Sequence, residues 1–320
     1  MEMKPEIKER IDALEKKYLA MGQDLTSYLD GLLYADYLTY WDYIHVDTLL
    51  SLQNPKTSFP DEEIFIMYHQ ITELYFKLCL HEYDQIAKKE NIKAEFFLAR
   101  LNRINCYFAN LISSFEVMVA GMEPDQFLKF RMSLLPASGF QSAQYRMIEI
   151  CSTDFIRLVD KDVREEMEKK QASIEEMFSH IYWKAGATEL ATGKKTLTLK
   201  QFEEKYSAKL IRLANDYSTV NLWKIYKRLT QAEQKNEQII AALKLLDVSV
   251  NINWPLSHYK SAVRYLQKDP EDIKATGGTN WQKYLPPRFQ KRIFYPSLHS
   301  ETEMNEWGKG WVSKTVFGLD

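Results

Sequence analysis

Two of the six histidines in this 320-residue chain stand where an imidazole could do chemistry. His69 lies mid-helix in DEEIFIMYHQITELYFKLCLHEYDQI. There Ile64, Tyr68, Ile71, Tyr75 and Leu78 form one apolar stripe, and Phe65, His69, Thr72 and Phe76 form a second about 100° around the helix. With Phe65 one turn before it and Thr72 one turn after, His69 reads either as a hydrogen-bonding group in an aromatic-lined pocket or as a satisfied core histidine. Spacing alone leaves both open. His258 follows Trp254-Pro255, with the small Ser261 and Ala262 a turn later and Tyr265 and Leu266 beyond. Small neighbours leave room for a flat macrocycle, and neutral imidazole is a common haem ligand. No cysteine or second histidine stands at zinc spacing from it, which leaves a haem ligand or a plain structural histidine.

Arg131, in QFLKFRMSLLPASGFQS, shares a helix with Phe127 and Phe130 and precedes a small-residue loop. Its planar guanidinium can hold a carboxylate through two parallel bonds, or it can serve a surface or interface salt bridge. Thr276-Gly277-Gly278-Thr279 offers amides and hydroxyls for an amino-acid head group or a propionate, or it is simply a turn. GxGxxG, P-loop, HExxH and GxSxG patterns are absent, which lowers nucleotide, zinc-protease and serine-hydrolase readings.

The elements that must position these residues read as all-α. Only 11 Gly and 10 Pro punctuate the chain, and the runs between them show three- and four-residue apolar spacing. A first helix is predicted from about Pro5 to Leu33, within an N-terminal arm over 1–36. A second opens after Ser58, with Pro60 and Asp61, Glu62 and Glu63 as a fitting first turn, and runs to about Lys89. Further helices fit 94–119, 124–133, 141–157, 161–183, 199–230 and 233–248, with Thr198 and Gln201 as a capping box, and a last one starts near Pro255. Loops fall at 134–140, 184–195 (a surface loop) and 274–281. One helical domain over 1–320 is the simplest organisation.

With 45% apolar and 13% aromatic residues the chain can bury a large core. A net charge of −2 gives no basic footprint for nucleic acid. The first residues have neither a secretory apolar core nor transit-peptide character, no stretch approaches a membrane span, and Cys79, Cys106 and Cys151 look like reduced core thiols. The expectation is a cytoplasmic protein with no membrane and no nucleic-acid partner.

Taken in order, LTYWDYIHVDTLLSLQ (38–53), FIMYHQITELYFKL (65–78), FRMSLLPASGFQSAQYRMIE (130–149), WPLSHYKSAVRYL (254–266), ATGGT (275–279) and FYPSL (294–298) resemble the tryptophan 2,3-dioxygenase family. PASGFQSAQYR is the most diagnostic stretch. The resemblance implies a helical subunit enclosing a b-type haem, ferrous when active, with His258 as its proximal iron ligand. It implies that His69 lies on the distal side against the indole N–H and that Arg131 clamps the substrate carboxylate. Ser138 would lie near the haem edge, Phe65 in the indole pocket with Phe127 and Phe130 as walls, and Thr276 at the head group. It further implies a homo-oligomer, a tetramer in the family, in which the N-terminal segment crosses to a neighbour so that Tyr40, Tyr43 and Ile44 complete the partner's pocket.

The implied reaction inserts both atoms of O2 across the indole C2–C3 bond of L-tryptophan, giving N-formyl-L-kynurenine, the first step of tryptophan catabolism by the kynurenine pathway. Indole N–H is a very poor acid, so His69 is assigned positioning and polarisation rather than strong base work. The chain departs from the family's Gly-Thr-Gly-Gly-Ser-Ser-Gly loop: it carries QKDPEDI and then ATGGTNW, which places Trp281 in the variable part. Two other readings stay open at this level. One is a haem monooxygenase acting on an indole, and the other is a haem-binding sensor that needs no Arg131 clamp; a helical scaffold with core histidines is the plainest of all.

Overall fold

The computed structural model describes residues 3–35, 38–131, 141–185, 187, 194–265 and 291–308. The chain divides into two compact units, residues 1–54 and 55–320. Among the described residues the regular structure is helical, and strand-like pairing is limited to one isolated bridge between Val159 and Ile181.

In the first unit, the helix predicted over Pro5–Leu33 is two, α1 (Pro5–Ala20) and α2 (Leu25–Leu33). Gly22 takes a positive φ of 67° between them, and Asp24 caps α2 by accepting from the Thr26 and Ser27 amides. Both signals were in the Met-Gly-Gln-Asp sequence, since glycine ends a helix and aspartate starts one. Two short helices follow, α3 (Tyr40–Tyr43) and α4 (Val46–Leu49). No described residue of this unit is buried.

The second unit is built on α5 (Asp61–Lys88) and α6 (Ala94–Ser114). In the first turn of α5 the acids do more than meet the dipole. Buried Asp61 accepts the Glu123 amide at 2.6 Å, and buried Glu62 accepts the Lys56 and Thr57 amides at 2.8 and 2.7 Å. Burial alone would raise the Glu62 pKa, but the bonds from Thr57 and Lys56 outweigh it and hold the carboxyl low. The two stripes expected on α5 do not separate into a buried and an open one: Tyr68, Thr72 and Phe76 are buried and His69 is exposed, whereas Ile71 and Leu78 are 46% and 44% exposed. Together with Met67 and Leu74 they leave an apolar solvent-facing strip. Cys79 and Cys151 are core thiols as expected, but Cys106 is exposed.

After α6 come α7 (Glu116–Ala120), α8 (Pro124–Phe130) and α9 (Ala143–Ser152). The long helix expected over 161–183 is broken into α10 (Lys161–Lys169), α11 (Ile174–Ser179) and α12 (Tyr182–Ala185). α13 (Leu197–Asp216) starts two residues early relative to the predicted capping box. Its cap is Thr196, which accepts the Leu199 amide, and Thr198 is inside the helix. From the 184–195 stretch, Ala187 is fully buried and its carbonyl accepts from Thr196. α14 (Leu222–Arg228) and α15 (Gln231–Gln234) lead to α16 (Glu237–Val248), and α17 (Trp254–Tyr265) and α18 (Glu301–Asn305) complete the described helices.

α16 and α17 are joined without a break by a π-helical turn, Ser249–Asn253. This corrects the hydropathy reading: the continuous run Glu237–Ser261, 25 residues, is long and apolar enough to cross a membrane by length and composition. Read as two helices, neither half met the length. Within it, 67% of an 18-residue apolar window is buried, and the run packs against α6 and its neighbours, as a core helix does. Buried polar side chains tie the elements together across long sequence separations. Glu149 accepts from Arg146, Tyr182 and Arg292, joining α9 to α12 and to the segment at 292. Such a cluster holds because every charge has a partner inside it.

Candidate functional site

His69 is aimed by its own helix. Its Nδ1 lies 2.7 Å from the Phe65 carbonyl one turn earlier, and the Phe65 ring stacks on the imidazole with centroids 4.0 Å apart. A carbonyl only accepts, so Nδ1 carries the proton and Nε2 is left with its lone pair. The ring is reached by solvent, yet protein atoms crowd it enough to lower its pKa, against the raising influence of the Phe65 carbonyl and Glu73. Both facts describe a side chain set in a concave surface.

His258 repeats the arrangement on α17. Its Nδ1 lies 3.0 Å from the Trp254 carbonyl, and the rings of Phe115 and Trp254 sit 4.5 and 4.6 Å from it. Burial pushes its pKa down to about 4, opposed by the Trp254 carbonyl and reinforced by repulsion from His69. The two imidazoles therefore lie within electrostatic reach of each other, and both are neutral near pH 7. Among the described residues nothing engages either Nε2.

Aromatic rings fill the space around them. Phe65 meets Phe127 and Phe130 at 6.4 and 5.8 Å, and Tyr68 bridges His69 and Phe115 at 6.3 and 5.7 Å. Phe127 packs on Tyr265 of α17 at 4.7 Å. Arg131 follows Phe130 at the end of α8 and is 8% exposed, with a pKa lowered by burial. α17 is fixed over α7 by the Ser261 hydroxyl to the Met118 carbonyl, 3.1 Å, and over the segment that follows α7 by the Tyr265 hydroxyl to the Met122 carbonyl, 3.3 Å.

The structure thus brings Phe65, His69, Phe127, Phe130 and His258 into one aromatic neighbourhood, with Arg131 next to Phe130. Tyr40, Tyr43 and Ile44 lie in the first unit, where they are 73%, 73% and 38% exposed. Ser138, Thr276 and Trp281 lie outside the described residues. Sequence reasoning missed Phe115 and Tyr68 as neighbours of the histidines, because an aromatic at helical spacing looks the same whether it packs on a leucine or an imidazole. It mentioned Trp254 only as the residue before Pro255, whereas its carbonyl sets the tautomer of His258.

The donor set suits a haem. A neutral imidazole whose Nδ1–H is held by a carbonyl and whose Nε2 is free is the form that binds iron, and the second interaction fixes the ring's rotation. No group of three or more His, Cys, Asp or Glu residues among those described offers a rival metal site.

A family model described as Tryptophan 2,3-dioxygenase matches residues 33–245. Curated relatives named Tryptophan 2,3-dioxygenase include one from Ruegeria sp. (strain TM1040), 44% identical over 120 residues, 36% of this chain and 42% of the relative. Another, from Bacillus thuringiensis (strain Al Hakam), is 40% identical over 116 residues, 35% of this chain and 40% of the relative. A third, from Bradyrhizobium diazoefficiens, is 40% identical over 116 residues with the same coverage. These alignments span less than half the length of the relatives. The family match holds His69, Arg131 and their aromatic neighbours, and His258 lies past its end, facing them from α17. On this match, which takes in about two thirds of its residues, the chain belongs to the tryptophan 2,3-dioxygenase family.

Proposed function

We propose that this chain is a haem-dependent dioxygenase that cleaves the indole C2–C3 bond of L-tryptophan with O2 to give N-formyl-L-kynurenine, the first step of the kynurenine pathway. The observation that carries the reading is the pair of neutral histidines across an aromatic cage, each giving Nδ1–H to its own helix and keeping Nε2 for another partner. In this reading His258 holds haem b by Nε2. Ferrous haem, when bound, supplies the activation of O2.

The protein's own residues bind and orient. Phe65, Phe127 and Phe130 exclude water and hold the flat indole, and Arg131 takes the carboxylate through its fork. His69 accepts the indole N–H at Nε2, which fixes which edge of the ring faces the iron. Ser138 is assigned to the haem edge and Thr276 to the head group on sequence pattern. The exposed aromatics Tyr40 and Tyr43, with Ile44, are assigned to the indole pocket of a second copy in a homotetramer; a unit with no buried residue among those described and this much apolar surface is suited to covering something else. A cytoplasmic location accompanies the reading.

The test is reconstitution with haem, reduction without oxygen, and mixing with L-tryptophan and then O2, with product mass as the readout. Ring-opened product carrying both oxygen atoms is expected. A singly oxygenated indole would replace this reading with a monooxygenase, and haem capture without turnover would replace it with a sensor.

A further inference from the structure

The π turn between α16 and α17 has an identifiable cause and an identifiable latch. Pro255 has no N–H and its ring collides with the carbonyl four residues back, so the regular ladder cannot pass through it. In the wider π register the missing amide is the one owed to the carbonyl five residues back, that of Val250. Tyr145, buried on α9, donates its hydroxyl to this Val250 carbonyl at 2.6 Å. The side chain of Asn251 is held in turn by Asp247, which it approaches at 2.8 Å. Asp247 is fully buried and also accepts from the Phe294 and Tyr295 amides and from His299.

The turn decides where His258 points. Asp247 and His258 are eleven residues apart, about three turns of regular α-helix, so an unbroken helix would put both on the same face. A π turn sets the phase back by about one residue, roughly 100°. The observed neighbours differ accordingly. Asp247 faces the 294–299 segment, and Ile252 and Leu256 pack on Trp307, whose ring meets His299 of that segment, whereas His258 faces Phe115.

We infer that Tyr145 is a positioning residue for His258, acting through the Val250 carbonyl to hold the π turn that aims the imidazole into the aromatic cage. The inference rests on the reading of His258 as the iron ligand. Tyr145→Phe removes one hydroxyl from the ring and leaves a buried carbonyl short of a donor. Pro255→Ala restores an amide in a helix-favouring residue and lets the run return to α register, turning His258 away.

The experiment compares haem-loaded, ferrous wild type, His258→Ala, Tyr145→Phe and Pro255→Ala by resonance Raman spectroscopy of the iron–histidine stretch and by haem dissociation rate, with circular dichroism as the check of folding. The expected result for Tyr145→Phe is a displaced stretch and haem loss roughly ten- to hundredfold faster at unchanged helicity. A folded Tyr145→Phe with the wild-type band and rate overturns the inference. Should Tyr145→Phe not fold, Pro255→Ala decides by the same two readouts. If His258→Ala keeps the wild-type band, the ligand reading has failed, and the inference falls with it for that separate reason.

Discussion

The two histidine-bearing helices use one local device and aim it by different means. On α5 the His69 ring is tied to Phe65 inside a 28-residue helix, so its direction follows from residue phase alone. On α17 the His258 ring is tied to Trp254 in the same way, but the helix beneath it carries a π turn. The imidazole is therefore aimed by groups more than a hundred residues away, Tyr145 among them. A regular helix suits a group that contacts substrate, where a small error in angle is absorbed by the substrate's own freedom. A ligand to a rigid planar cofactor has one acceptable direction, and fixed second contacts supply it.

The largest expected effect that would break this comparison is at His258. Replacement by Ala should abolish axial ligation and drop turnover beyond the ten- to hundredfold typical of losing a ligand's supporting contact, measured by the ferrous spectrum and kcat. Next comes Arg131→Ala, which belongs to the substrate side. Loss of a buried clamp should weaken tryptophan binding by about 2–5 kcal/mol with the haem spectrum unchanged, measured by anaerobic titration. An unchanged affinity would move Arg131 to a structural role.

The pH dependence sharpens the contrast. His258 is about 4 when folded and about 6.5 when unfolded, so the unfolded chain binds the extra proton between those values. Its contribution, about 3 kcal/mol, is present above pH 6.5 in the haem-free protein and is lost as pH falls to 4. His258→Gln should flatten that limb of the melting temperature against pH. The smallest change is expected for His69→Gln, which keeps an acceptor near the indole N–H. A fall in kcat of about tenfold, with the iron–histidine band unmoved, marks a positioning group on the substrate side only; a hundredfold or larger loss would assign general-base work to it.

Much of the site was legible before any coordinates. Histidine next to aromatics at one-turn spacing, and arginine after two phenylalanines, are local patterns that survive folding because a helix keeps i and i+4 together. Less legible was which members of the two α5 stripes face inward. Ile71 and Tyr68 differ by less than a turn, and only packing with α6 and α9 decided that Tyr68 is buried while Ile71 is not. In sequence the first turn of α5 reads as a dipole match, yet Glu62 serves the Lys56 and Thr57 amides, a use that composition cannot announce.

By itself the sequence determined the helical class, the residues able to do chemistry and the family, because each rests on residue type and short-range period. The tertiary structure alone decided the phase break before His258, the exposure of Cys106, and the convergence of Arg146, Glu149, Tyr182 and Arg292. Periodicity carries one helical phase forward along the chain. It has no means of recording a proline's missing amide being answered by a tyrosine from another helix, since that bond exists only once distant segments have packed.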